Sequence, residues 1–526
     1  MKHAFKPLGV AAAVAAASAG YVNVASAQSV SANDLGDLAL VPYYTVNGEW
    51  VTGIHIVNTS DKTQVVKFRF RRATDSMDAL DFNVIMSPQD VYAGVLTDDE
   101  NGNISWSADD TTCTAPATTA GALTMPSIYR ADAETGYVEI IGMGEIGVTS
   151  PIGVASKHSG TTFEPLNCEA VRSNFFADGV AGTTRGVIDN ATTWQSSYMV
   201  GTTTVPAAQN DFDPSSNALK VSYFIRDNDS GVEFGDNAVH IEDFLGVASI
   251  TNQQYGYFSG DLDGFDFPDL NGGVPLSAFA PRGAFNALRA AGVLGKTSII
   301  NEWSANPANG VEMDWVVTLP GQYTMFDLPQ YVGGLDAAAN RPWIPTLGAN
   351  GAPATNASCP RAPIAGPPAV DECDYRDMPV VLTFTAYNRE EFRGTSPQGD
   401  LVVSPAPPGE IVTAYLPKEA NVVTFGGNSV LGQVDADVTA DLGQPFGWVT
   451  ASIASVDSDI RVCDWDLDQD NGAGFPSASA GAALDVQCTS GLNTGIPVIG
   501  FAAWARSVAA NPDASYGRII EHSYTS

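Results

Sequence analysis

Val66-Lys67-Phe68-Arg69-Phe70-Arg71 alternates an apolar side chain with a cation for six residues. A strand turns successive side chains to opposite faces, whereas a helix would scatter these residues around its circumference. Strict period two therefore reads as a half-buried β-strand, its apolar face on a core and its cationic face in water. Upstream, Tyr43-Tyr44-Thr45-Val46 and Trp50-Val51-Thr52-Gly53-Ile54 flank Asn47-Gly48, a strong short-range hairpin signal. Further strands are expected at 137–141, 219–225, 315–319, 380–386, 411–416, 421–425, 448–453 and 497–503, and helices only around 284–294 and 168–176. Short strands between turn residues predict a mainly β fold: antiparallel β-sandwich-like domains with long Gly/Pro/Asp-rich loops and few short helices.

The composition limits what such a fold can bind. Across 526 residues there are 25 Lys and Arg against 59 Asp and Glu, a formal charge of −34. Nucleic acids and anionic headgroups need a positive footprint, so nucleic-acid partners are excluded on charge. Hydrophobic residues at 44% and aromatic residues at 9% supply enough apolar surface for a packed core and argue against disorder.

Lys2 and Lys6 precede a short apolar run at 8–19, and Ala25-Ser26-Ala27 places small residues where a signal peptidase reads. This predicts a signal peptide over 1–27 and a mature chain from Gln28, whose charge becomes −36 on losing the two lysines. No later run is long enough for a transmembrane helix. Six cysteines, all beyond residue 27, read in an exported chain as disulfides. Six allow 15 pairings. The sequence-local set, Cys113 with Cys168, Cys359 with Cys373 and Cys463 with Cys488, is preferred because each would staple a Gly-, Pro- or Asp-rich connection. Zinc is disfavoured by the lack of CxxC and of ligand-spaced histidines.

The expected organisation is an N-terminal β domain at 28–205, a middle β-rich domain with a short helix at 206–340, a Pro-rich, disulfide-clipped linker at 341–379, and a C-terminal β domain at 380–526. Seven prolines between Pro342 and Pro368 set the linker apart, since prolines at that density stop helices and sheet ladders.

Two Asp-rich stretches have the composition of calcium loops. Calcium takes six to eight hard oxygens from a chain that can curl round it. Asp261, Asp263, Asp266, Asp269 and Asn271 form the first candidate, interleaved with Gly264 and Gly272. Asp464, Asp466, Asp468 and Asp470 form the second, which resembles the first half of an EF-hand or dockerin loop. Counted from Asp466, however, it has Asn471 where such a loop has glycine and Ser477 where it has a bidentate glutamate. Asp227-Asn228-Asp229-Ser230-Gly231 is a shorter third case. The competing reading of all three is solvated turns between strands.

Other motifs carry less. Gly142-Met143-Gly144-Glu145-Ile146-Gly147 matches GxGxxG, but Val148-Thr149-Ser150-Pro151 follows where a phosphate-binding helix would open, so no nucleotide cofactor is expected. There is no GxSxG, HExxH or P-loop. His55 reads as a surface or satisfied strand histidine, while His158 and His240 lie in loop-like stretches. Glu390-Glu391 reads as a charge-balanced strand end. Trp50, Trp303, Trp315, Trp448 and Trp504 would serve either as core or as a sugar-stacking platform, and their apolar flanks favour core.

Leu40-Val41-Pro42-Tyr43-Tyr44, Ile56-Val57-Asn58-Thr59-Ser60, Asp78-Ala79-Leu80-Asp81-Phe82-Asn83-Val84-Ile85, Met86-Ser87-Pro88, Asp314-Trp315-Val316-Val317-Thr318-Leu319-Pro320 and Asn388-Arg389-Glu390-Glu391 resemble an uncharacterised family of exported cell-surface proteins of Gram-negative bacteria. The resemblance spans most of the mature chain. It implies export to the cell exterior and brings no catalytic residues. The expectation is thus a secreted cell-surface protein, structural or adhesive, stabilised by Ca2+, with itself or cell-envelope components as partners and no catalysis. A secreted glycan hydrolase and an outer-membrane β-barrel are the alternatives, and the periplasm is the alternative location.

Overall fold

The computed structural model describes residues 28–172, 212–250, 293–321, 380–387, 412–425, 446–455 and 496–525, each range less a few positions. It also describes short pieces within 198–205, 335–342 and 429–442 and at 461–465 and 486–490. These are strands almost throughout, and the helices among the described residues are Pro151–Ser156 and Cys168–Arg172. The fold is mainly β and its pairings are antiparallel, apart from a short parallel one between Ala420–Thr424 and Val438–Thr439. No sheet closes on itself among the described residues.

Three sheets make up the body. The first runs Ser29–Val30, Val239–Glu242, Leu38–Thr45, Thr135–Ile146, Thr63–Arg72, Asp78–Met86, Cys113–Ala115. The second runs Glu233–Asn237, Leu219–Asp227, Trp50–Asn58, Val91–Asp98, Ile104–Ser107, Ala122–Thr124. The third has ten strands and passes through Val412–Leu416, Val380–Tyr387, Phe446–Ser455, Ser298–Asn306 and Val311–Thr318. It continues on Val311–Thr318 with Ile499–Arg506 and Tyr516–Glu521. Pairing crosses two of the expected domain boundaries, since Leu219–Asp227 lies against Trp50–Asn58 and Ser298–Asn306 against Phe446–Ser455.

Val66, Phe68 and Phe70 point into a core shared by the first two sheets, where Phe68 stacks on Phe82 at 4.9 Å and meets Trp106 at 5.1 Å. That half of the strand behaves as its alternation predicts. The cationic half does not, because all ten residues of Thr63–Arg72 are buried and Lys67, Arg69 and Arg71 have no exposure. Burial is tolerated because neighbouring strands bring carboxylates to the same face. Glu139 and Asp81 are the register partners on either side of Arg69. Asp81 lies 2.8 Å from Lys67 Nζ and 3.4 Å from Arg69 Nη2, and Glu139 Oε1 lies 2.6 Å from Arg71 Nε. Charge moves inside a protein only when paired and hydrogen-bonded. Here the sheet supplies both, and Arg71 Nη1 also donates to Ser76 O at 2.8 Å.

Asn47-Gly48 does form a turn, with Gly48 at φ +60° and Trp50 N donating to Asn47 O. The expected hairpin is corrected: the flanking strands enter different sheets. Each is already paired on both edges, Leu38–Thr45 by Thr135–Ile146 and Val239–Glu242, and Trp50–Asn58 by Leu219–Asp227 and Val91–Asp98. The turn is therefore a corner between layers. Gly136 shows why glycine sits in the crowded first sheet, since a Cβ there would fall 1.8 Å from Arg71 O.

Two buried aspartates tie loops to strands. Asp37 accepts from Phe244 N and Leu245 N, and Asp314 Oδ2 accepts from Ser429 Oγ, Val430 N and Leu431 N at 2.7–3.1 Å. Burial raises both carboxyls to about 6, against the hydrogen bonds that lower them. A raised acid favours the folded state below its unfolded value of 3.8 and loses that contribution as pH rises through 6. Asp314→Asn keeps an acceptor and removes the titration. Its unfolding free energy relative to the parent is expected to climb by about 2 kcal/mol between pH 4 and 6.5, most of the effect of a shift of about two pKa units at 1.36 kcal/mol each. Urea midpoints across that range provide the check, and a constant difference would contradict the assignment.

Candidate functional site

The first Asp-rich candidate, Asp261, Asp263, Asp266, Asp269 and Asn271, lies outside the described residues, as do Asp466, Asp468, Asp470, the cysteines Cys359 and Cys373, Glu390, Glu391 and residues 284–292 of the expected helix. Asp464 is in the strand Arg461–Trp465, opposite Gln487. The same register sets Cys463 opposite Cys488. The third candidate is a turn: Asp227 Oδ1 accepts from Asp229 N, and Oδ2 from Ser230 N and Ser230 Oγ, while Gly231 takes φ +70°. Its carboxylate oxygens hold the backbone. Among the described residues no group of three or more His, Cys, Asp or Glu is placed to hold a metal.

Cys113 and Cys168 are disulfide-bonded, joining the edge of the first sheet to the helix Cys168–Arg172. Beside them Ser87 Oγ lies 3.2 Å from His158 Nδ1 and 3.3 Å from Asp90 Oδ2, and Thr111 Oγ1 lies 3.2 Å from His158 Nε2. A Ser-His-Asp relay needs its hydroxyl and its carboxylate on opposite ring nitrogens. Ser87 and Asp90 both approach Nδ1, with Asp90 Oδ2 at 3.8 Å, and the hydroxyl on Nε2 is that of Thr111, which also donates to Phe163 O at 3.2 Å, so the group ties the 87–90 turn to the stapled loop. Burial raises the Asp90 carboxyl, and the neighbouring His158 opposes that shift. His240 is a correction: it lies buried in a strand rather than in a loop, its Nε2 accepting from Val221 N at 2.8 Å, and burial lowers it to about 4. Gly142 and Gly144 belong to the strand Thr135–Ile146, which passes through a turn into the six-residue helix Pro151–Ser156, whose first turn is capped by the Ser150 side chain accepting from Gly153 N.

The tryptophans divide. Trp50, Trp303 and Trp315 are core, while Trp448 is 40% exposed and Trp504 half-buried. Trp448 stacks on its cross-strand neighbour Tyr387, with centroids 4.2 Å apart and planes within 9°. On its other side Trp448 faces Glu302, whose Oε1 is 3.4 Å from Arg518 Nη2. Arg518 lies over the Trp504 ring at 4.7 Å, and Trp504 meets Tyr516 at 5.6 Å. The result is one chain of contacts, Tyr387, Trp448, Glu302, Arg518, Trp504 and Tyr516, across five strands: Tyr387, Trp448 and Glu302 lie on the outer face of theirs, while Trp504, the register partner of Met313, packs its inner part against the core and meets Arg518 and Tyr516 at the sheet's edge strand. Beside the stacked pair, two further cross-strand pairs on the same face are hydroxyls, Thr385 with Thr450 and Thr383 with Ser452, and Thr413 extends the second. The inner face of these strands is core, with Leu382, Phe384, Val449 and Ala451 buried. Period two thus explains why Tyr387 and Trp448 sit outside.

Stacked rings with an ion pair and hydroxyls in one plane can hold a flat, amphipathic ligand by ring contact and hydrogen bonds together. Sequence reading reached Trp448 and Trp504 but missed Tyr387, Glu302, Tyr516 and Arg518, whose only signal was an aromatic or charge at an outward strand position. The chain matches no family model, no curated protein and no solved structure.

Proposed function

We propose that this chain is an exported cell-surface protein of a Gram-negative bacterium with an adhesive role, performing no catalysis. The observation that carries the reading is the exposed aromatic and ion-pair row on the third sheet. Such a row is an unusual use of surface for a solubility shell, since large exposed apolar groups in contact mark interaction sites. The Cys113–Cys168 disulfide supports an oxidising, extracytoplasmic compartment. The leader at 1–27 and the runs shared with exported surface proteins point the same way. Expressed as the full chain in a Gram-negative host, the protein is expected to begin at Gln28 and to be removed from intact cells by added protease. Retention of Met1 with full protection from protease would overturn the reading.

Calcium enters this proposal through 261–271 and 464–470, where clustered carboxylates would be neutralised and their loops locked. A ligand that binds only the folded state raises its melting temperature. The mature protein is therefore expected to melt higher in millimolar calcium and to fall back with chelator. An unchanged melt, with no bound metal by elemental analysis, removes calcium from the proposal.

A further inference from the structure

We infer that the exposed patch formed by these contacts on the third sheet binds an uncharged hexose polymer, with Tyr387–Trp448 and Trp504–Tyr516 as two stacking subsites and Glu302–Arg518 reading hydroxyls between them. This rests on the adhesive reading and names its ligand. The CH face of a pyranose ring is apolar and flat while its rim is all hydroxyl, so its complement is an aromatic plane bordered by groups that both donate and accept. Trp448 supplies the plane, lying parallel to Tyr387 and held by it. Glu302 accepts, Arg518 donates, and the Thr385, Thr450, Thr383 and Ser452 hydroxyls do either. Arg518 is fixed over Trp504, so both the donor and the second ring are preorganised, which lowers the entropy lost on binding.

Charge decides among occupants. The row contains one anion and one cation and is neutral as a unit, on a chain of −34. A polyanionic glycan, a nucleic acid or an anionic membrane would meet long-range repulsion with no basic patch to offset it. A neutral polysaccharide meets neither. Its extended shape also matches a row that crosses five strands rather than filling one pocket.

The test uses the full mature chain in affinity electrophoresis through gels holding soluble neutral glucans of differing linkage (laminarin, dextran, hydroxyethylcellulose), with alginate as the anionic control. At least one neutral glucan is expected to retard the protein, and alginate to leave it unaffected. Trp448→Ala and Trp504→Ala are each expected to weaken retardation tenfold or more, Trp448→Phe and Trp504→Phe less, with Trp448→Ala melting as the parent does and Trp504→Ala folded by circular dichroism at the assay temperature. The inference falls if no neutral glucan retards the parent, or if both alanine variants bind as the parent does. It falls equally if the parent self-associates on gel filtration and the variants abolish that, which would make the occupant a second copy. Binding to whole cells separates the two levels. Tryptophan-dependent attachment without glucan binding sinks the ligand and leaves adhesion standing, and loss of both sinks the adhesive reading as well.

Discussion

Glu139→Ala is expected to destabilise the protein by about 3–5 kcal/mol, the cost of removing one partner from a buried ion pair. Glu139 has no exposure, and its Oε1 lies 2.6 Å from Arg71 Nε, itself fully buried. The substitution leaves a guanidinium in the interior facing a cavity where its carboxylate was, and water has no easy route to replace it. The effect extends to the row around it, because Glu139 is also the register partner of Arg69. A paired replacement, Arg71→Met with Glu139→Leu, removes both charges and fills the space. Such exchanges are often neutral or stabilising, so the double variant should recover most of the loss. Urea unfolding followed by tryptophan fluorescence reads both. Equal midpoints for parent and Glu139→Ala would mean the pair is not buried as described.

Cys113→Ser with Cys168→Ser is expected to lower stability by about 4 kcal/mol, the chain-entropy value for a loop of this size. The bond closes 55 residues of separation. That loop contains the strand Thr135–Ile146, which lies at the centre of the first sheet, so the bond restricts an unfolded chain that must otherwise close a large part of the sheet by itself. Locally it holds the helix Cys168–Arg172 to the edge strand Cys113–Ala115, where Arg172 Nε donates to Thr114 O at 2.9 Å. Reductant should lower the denaturation midpoint of the parent more than that of the double variant, which keeps Cys359, Cys373, Cys463 and Cys488. A parent insensitive to reductant would remove this role for the bond.

The sequence made the strands legible because each carries its own period. Phe68 and Phe70 are inward for the reason the alternation states, and 219–225, 380–386 and 448–453 are strands on the same evidence. The pairing of Cys113 with Cys168 was legible as a local staple. The cationic face of Thr63–Arg72 was misjudged because a polar face looks the same in sequence whether water or another strand covers it. A clue lay elsewhere: Asp81 stands between Leu80 and Phe82 and Glu139 between Val138 and Ile140, and a charge flanked in this way signals a partner across the sheet. The row on the third sheet was less legible still, since its six residues come from five strands between 302 and 518.

By itself, the sequence determined that this protein is β-rich and acidic and offered Cys113 and Cys168 as a local staple, because periodicity, net charge and cysteine spacing are properties of the chain read in order. The tertiary structure decided which faces are wet. Burial depends on neighbours that arrive from far along the chain: Glu139 and Asp81 brought three clustered cations of a polyanionic protein indoors, and five separated strands joined single aromatics into one patch. Strand pairing over such distances is set by the packing of whole sheets, and no local stretch of residues carries it.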